Sequence, residues 1–475
     1  MRVWSIKTPL FVFIIMLSAG CAVHSPQTVA PPLPVPASFS EQNSPGVPVE
    51  RWWEAFGDAD LNLLMEEAFS GNPDLVQAYE RFEQSRAIYR STAAARKPSV
   101  DLQGQWSRED TPSFFGNNTG NSYILSLAAG FELDLWQKLK SRTMAAGLDV
   151  EALREEIKTL YISLSARIAD LYYLAAEQRA QLKLTEQTIN SYTDILSLVE
   201  ERYREGLVPA LDVYQARQNL SRVKARRAIL ESTLRVTEHA LSVAMGHYPG
   251  SEMVGKLVEL PETPAAFPAG LPSEVLSRRP DVRAALLRLK ASDARVAVAI
   301  ADRFPSFNLL GSYGTSSFVF STGDIVGNFW KILINLSQPL LDGGRRSAEV
   351  DRSRAVFREN LALYHKTVLN AFQEVEDALV RNRTSEERIT QLQELTEAAG
   401  SALRISQERY MQGLSGYLPV LIAQTLYFDA QGQLLTARRQ LVSDRVTLAR
   451  ALGGEWMEHE IQERLTVNNH KGGGS

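Results

Sequence analysis

Four stretches of this chain alternate apolar and polar positions with a period of two, the pattern of strands with one apolar face. Val100, Leu102, Gly104 and Trp106 alternate with Asp101, Gln103, Gln105 and Ser107. Tyr123, Leu125, Leu127, Ala129, Phe131 and Leu133 alternate with a set that includes Ser126, Gly130 and Glu132. Phe307, Leu309, Gly311 and Tyr313 alternate with Asn308, Leu310, Ser312 and Gly314, and Trp330, Ile332, Ile334 and Leu336 with Lys331, Leu333, Asn335 and Ser337. The predicted strands span about 99–109, 122–134, 306–316 and 328–341, and about ten tilted residues suffice to cross a bilayer. Segments 110–121 and 316–327, rich in Gly, Ser, Thr and Asn, read as long loops at the outer end of a membrane barrel.

After each strand pair the period changes. From Lys138 to Glu205 there is no proline and one internal glycine, Gly147. Ile157, Leu160 and Leu164, then Ile189, Tyr192, Leu196, Val199 and Tyr203, step by threes and fours, as in the seam of a coiled coil. Arg345 to Gln412 repeats the arrangement. About 68 residues at about 1.5 Å each make a rod of roughly 100 Å. Gly206 and Gly413 stand at the C-cap positions, and Pro209 and Pro419 can open return helices that run to about Gly246 and Gly453. Ahead of the strands, Pro73 and Pro280 open helices that Pro98 and Pro305 end.

These elements occur twice in one register. Glu201–Val213 reads ERYREGLVPALDV and Glu408–Val420 reads ERYMQGLSGYLPV, 207 positions later (201 to 408). The same shift carries Pro73 onto Pro280, Pro98-Ser99 onto Pro305-Ser306, and Leu241 with Gly246 onto Leu448 with Gly453. A period this long indicates a duplicated unit, not a short-repeat solenoid. The repeats are placed at 51–264 and 265–465, with a tail at 466–475 whose last residues, Lys471 to Ser475, read as a linker scar.

Composition adds an address and excludes some chemistry. Arg2, Lys7 and the apolar run Leu10–Leu17 form a secretory signal over 1–20, which ends at Ala19-Gly20-Cys21. Cys21 is the only cysteine, so it makes no internal disulfide. It reads as the acylated first residue of a bacterial lipoprotein, with Ser18 where the usual signal prefers leucine. The stretch 21–50, rich in proline, reads as an extended tether unable to pack a core of its own. The 6 histidines lack metal-ligand spacing, and the chain has no nucleophile elbow or phosphate loop, so neither an enzyme nor a cofactor or metal is expected. A slight acidic excess, with formal charge -4, gives no basic stripe for nucleic acid. Asp342-Gly343-Gly344-Arg345 reads as a strand-to-helix turn, and Asn117-Asn118-Thr119 as a chance glycosylation match.

Four membrane strands cannot close a barrel, since outer-membrane barrels have eight or more. An open edge in lipid costs several kcal/mol per unsatisfied backbone group, so the chain is expected to oligomerise. Two copies give eight strands, whose interior side chains fill, and three give twelve, which can leave a water-filled lumen.

The order of elements, the paired RYxxG turns, the lipoprotein leader and the proline-rich tether resemble the TolC-type outer-membrane efflux channels, specifically the lipidated OprM/NodT branch. The resemblance implies an α+β fold: a trimeric twelve-strand antiparallel barrel in the outer membrane, four strands per chain, joined to a helical barrel that crosses the periplasm. It implies the exit duct of a tripartite pump, fed by a proton-driven inner-membrane pump of the RND class through a periplasmic adaptor (membrane fusion protein). Rival readings are a lipidated periplasmic adaptor, which would lack the four strands, or a type I secretion duct of the same superfamily. In the family the rod ends form the periplasmic tip, which here places Arg202, Tyr203, Gly206, Leu207, Arg409, Tyr410, Gly413 and Leu414 at the adaptor contact. A family bond between a tyrosine of the second turn and an aspartate after the first maps onto Tyr410 and Asp212. Ser415, Pro419 and Ile422 stand where the family often carries charges, so no acidic constriction ring is implied. Leu414, Leu418 and Ile422 are then candidates for an apolar constriction, and Asp212, Tyr410, Ser415, Leu418 and Ile422 for the gate.

Overall fold

The computed structural model of the chain describes residues 24–27, 34–41, 50–113, 116–250, 257, 259–320 and 323–471. The signal segment, Cys21, most of the tether and the last residues of the tail lie outside that set. A 3-10 turn, Trp52–Phe56, leads into α1 (Ala59–Gly71) and α2 (Pro73–Ala94). Then come β1 (Ser99–Ser113), β2 (Gly116–Leu133), α3 (Lys138–Arg204) and α4 (Ala210–Ala244). A short α5 (Pro272–Arg278) precedes the second copy: α6 (Pro280–Ala301), β3 (Ser306–Phe320), β4 (Gly323–Ser337), α7 (Arg345–Met411) and α8 (Tyr417–Leu452). Helix α9 (Glu458–Lys471) follows. Each copy contains one 67-residue helix, and the starts of α2, β1, α3 and α4 recur in α6, β3, α7 and α8 at the shift read from the sequence. Within each copy the long helix and its return form a helical hairpin.

The expected strand bounds and loops need correction. The segments read as long polar loops are largely strand: β1 runs to Ser113, β2 begins at Gly116, β3 runs to Phe320 and β4 begins at Gly323. Polar, glycine-rich residues can extend a ladder, because backbone pairing supplies the bonds whatever the side chains are. The last strand ends at Ser337, short of 341. The presumed tail from 466 is helical as far as Lys471. Pro209 is the N-cap of α4, and Pro419 is the third residue of α8; both suit a helix start, where the missing N–H leaves no bond unmade.

The contacts divide the chain into two compact units. The strand-bearing unit comprises Met1–Pro32, Glu80–Arg154 and Arg283–Thr367. Its sheet is antiparallel in the order β1-β2-β3-β4. The register aligns Leu102 with Leu127, Leu127 with Tyr313 and Tyr313 with Trp330, so one apolar row crosses all four strands. Directly opposed residues share a face, so the alternating apolar sets fall on one side of the sheet. That side is exposed in the single chain, Leu102 at 70% and Trp330 at 75%. At the strand-to-helix junction Trp136 stacks on Phe304, ring centroids 4.9 Å apart, and its Nε1 donates to the Pro305 carbonyl at 2.7 Å. The Asp134 carboxylate accepts from the Leu139 and Lys140 amides, and Asp342 from the Gly344 and Arg346 amides, so an aspartate caps each long helix. His24, in the tether, meets Asp293 at 2.8 Å.

The helical unit comprises Leu33–Tyr79, Glu155–Val282 and Val368–Ser475. An aromatic cluster forms its core: Trp53 and Trp456 lie edge to face at 4.6 Å, and Phe69 packs on Trp456 and Tyr161. Residues 34–41 of the tether pack here despite its composition. Phe39 is buried, the Ser40 amide donates to Glu376 at 3.0 Å, and Glu41 pairs with Arg383 at 3.2 Å. Among the described residues no helix is long and apolar enough to cross a membrane.

Candidate functional site

The two rod ends close with the same geometry. Leu207 N–H donates to the Arg202 carbonyl at 2.9 Å and Gly206 N–H to the Tyr203 carbonyl at 3.0 Å. In the second copy Leu414 donates to Arg409 at 2.9 Å and Gly413 to Tyr410 at 3.0 Å. This is the Schellman motif, whose penultimate residue takes a left-handed conformation. Gly206 has φ +76 and Gly413 φ +71. No atom lies within 4 Å of a Cβ built on Gly206, so dihedral angle, not crowding, requires glycine there.

The turns also share a core. Val199, Val213, Ala216, Tyr410, Tyr417 and Val420 are buried together, with Ile195, Leu196, Leu198, Val208 and Leu421 packed against them. Burial of this apolar surface joins the first hairpin to the second. The coiled-coil seam read from the sequence holds at Ile157, Leu164, Tyr192 and Val199, which are buried. It ends before Tyr203, which is 48% exposed.

Here the duplication breaks. Both copies carry Arg-Tyr ahead of the turn, yet they use the pair oppositely. In the first, Arg202 turns inward and Tyr203 outward; in the second, Tyr410 is buried and Arg409 exposed. Arg202 therefore meets Tyr410. Its Nη1 donates to the Tyr410 carbonyl at 2.7 Å, and its Cζ lies 4.7 Å from the ring centroid. That carbonyl, which also accepts from Gly413 N–H, belongs to the last turn of α7, where the helix dipole favours a cation. The ring face adds a cation–π attraction.

The hydrogen bond expected between Tyr410 and Asp212 is not formed. The Tyr410 hydroxyl is buried without a partner among the described residues, as are the Tyr417 hydroxyl, Ser415 Oγ and Arg202 Nε. Tyr410 is instead held by its ring and its carbonyl. Burial pushes its phenol up, the Arg202 charge opposes this, and the nearby Asp212 charge adds to it. Desolvation likewise raises the Asp212 carboxyl above its usual range.

Leu207, Leu414, Leu418 and Ile422 are exposed, between 51% and 65%. Leu418, Ile422 and Leu426 lie four apart on one face of α8, leaving an apolar stripe uncovered in the single chain. Sequence reasoning missed Leu426 and Tyr417. Tyr417 is buried with its ring 6.0 Å from that of Tyr410. The available signal was its position: under the repeat shift it replaces Ala210, a large aromatic at a helix start beside the turn.

The chain matches the family model described as Outer membrane efflux protein over residues 64–247 and 271–454. Both ends of the two matched blocks are separated by the repeat shift. The chain is 30% identical over 473 residues to the antibiotic efflux pump outer membrane protein ArpC of Pseudomonas putida, covering 95% of this chain and 97% of that one. It is 31% identical over 479 residues to outer membrane protein OprJ of Pseudomonas aeruginosa, covering 97% and 98%. A solved membrane protein from Pseudomonas aeruginosa aligns with TM-score 0.85 at 30% identity, over 91% of this chain and 98% of that one. The open state of the Neisseria gonorrhoeae MtrE outer membrane channel aligns with TM-score 0.79 at 26% identity, over 91% and 98%.

Proposed function

Because the chain belongs to the outer membrane efflux protein family, we infer that it is the exit duct of a tripartite efflux system, passing substrate from an inner-membrane pump and a periplasmic adaptor to the outside. The observation that carries this reading is the sheet. Four strands present one apolar face, and β1 and β4 are its edges. In lipid such edges must be paired, since each unsatisfied backbone group costs several kcal/mol. Three copies joining β4 of one to β1 of the next close a twelve-strand barrel wide enough for a lumen. A periplasmic adaptor has no use for such a sheet.

The shared tip of the two hairpins is the adaptor contact and the gate. Its exposed Leu414, Leu418 and Ile422 form an apolar constriction, and Arg202 on Tyr410 holds the hairpins together. Acylated Cys21 anchors the chain to the outer membrane, and the inner-membrane partner is a proton-driven pump of the RND class. The test is complementation. In a strain lacking its own duct, the full chain expressed with a cognate adaptor and pump should restore resistance to a pump substrate. Failure by a protein present at normal abundance in the outer membrane would contradict the reading.

A further inference from the structure

A cavity of about 160 Å³ lies between α3, α4 and α8 in the helical unit. Its charged groups are Arg222 and Arg226 of α4 and Asp429 of α8. Arg226 is only loosely paired, its Nη1 3.9 Å from Asp429. The Arg222 guanidinium makes no hydrogen bond or ion pair among the described residues, although its charge reaches Tyr192 on the opposite wall. Two cations against one carboxylate leave a surplus that a single anion would balance. Leu184, Val223, Phe428 and the Tyr192 ring supply the apolar part of the remaining wall, beside glutamine, asparagine and threonine side chains. The pocket is open, with Arg226 and Asp429 about half exposed, and its volume is enough for one aromatic ring, since about 150 Å³ holds a benzene. A planar guanidinium suits a carboxylate.

We propose that this cavity binds a small aromatic carboxylate, with its carboxylate on Arg222 and Arg226 and its ring against Phe428, Leu184 and Val223. Such a ligand fastens α4 of the first hairpin to α8 of the second. Both helices start at the tip, so occupancy favours the joined arrangement of the turns. The binding step itself does not rest on the transport reading.

Titration calorimetry on the full chain, purified in detergent, tests this with benzoate as the probe and acetate as its ring-free control. The expected result is saturable binding of one benzoate per chain, with acetate weaker by about tenfold or more. Arg222→Gln should weaken benzoate by about tenfold or more. Phe428→Leu, which keeps an apolar side chain there, should weaken benzoate but not acetate. Arg352→Gln, which alters an exposed arginine paired with Glu349 in the other unit, should change nothing. Absence of saturable benzoate binding, or benzoate binding unaltered by both Arg222→Gln and Phe428→Leu, overturns the site. Equal affinity for acetate and benzoate overturns its aromatic specificity.

Discussion

Arg202 of the first hairpin lies on the ring of Tyr410 of the second, with Cζ 4.7 Å from the ring centroid and Nη1 2.7 Å from the Tyr410 carbonyl. One side chain thus stacks on an aromatic residue and caps the helix that carries it. Hydrogen bonds to charged groups contribute about 1.5–3 kcal/mol. Arg202→Gln should therefore loosen the tip, seen as higher single-channel conductance or greater leak of large antibiotics. Arg202→Lys keeps the charge but loses the planar stack, so an intermediate effect is expected. Wild-type conductance in Arg202→Gln would remove Arg202 from the latch.

Tyr410→Phe should behave differently from what a tyrosine–aspartate bond implies. The hydroxyl is buried and unpartnered, and an unsatisfied buried polar group costs about 1–3 kcal/mol. The melting temperature of Tyr410→Phe should match or exceed the wild type, and its conductance should be unchanged. A clear fall in melting temperature would show that the hydroxyl is bonded in solution.

Asp212→Asn probes the same point through pH. Burial holds the Asp212 carboxyl above its ordinary range, so its neutral form suits the folded state better than its charged form. The stability tied to that proton is complete below the ordinary carboxylate range and lost as pH rises through the raised value. At neutral pH Asp212→Asn should be as stable as the wild type or slightly more so, with the advantage vanishing in acid. Destabilisation confined to neutral pH would show that the carboxylate has a partner.

Much of this was legible in the chain itself. Alternation is local, so Leu102, Leu127, Tyr313 and Trp330 announced a shared face before their register was known. Proline and glycine marked the helix ends because their effects are local too. Strand length was underestimated because Gly, Ser and Thr in 110–121 suggest loops, whereas a neighbouring strand can carry them. The opposite use of Arg202-Tyr203 and Arg409-Tyr410 was not legible at all. Both copies read RY, and only packing against Val199, Val213 and Tyr417 decides which side chain turns inward.

Gly206→Val and Gly413→Val should each distort a tip turn, because left-handed backbone costs an ordinary L-residue roughly 1–2 kcal/mol and β-branched residues more. The expected protein is an inserted trimer that no longer crosslinks to its adaptor and no longer supports efflux. Normal efflux from Gly413→Val at normal abundance would show that this turn is not the contact.

The proposed anchor requires the Cys21 thiol, so Cys21→Ser should abolish acylation while the barrel still inserts. Labelling of this variant by radioactive palmitate would overturn the anchor.

The most direct test of the duct is the mass of the purified full chain in detergent, measured by light scattering with the detergent contribution subtracted. The edges β1 and β4 require partners in lipid, so the folded species should contain three chains. A stable, folded monomer would contradict the account, because it would leave both edges of a four-stranded membrane sheet open.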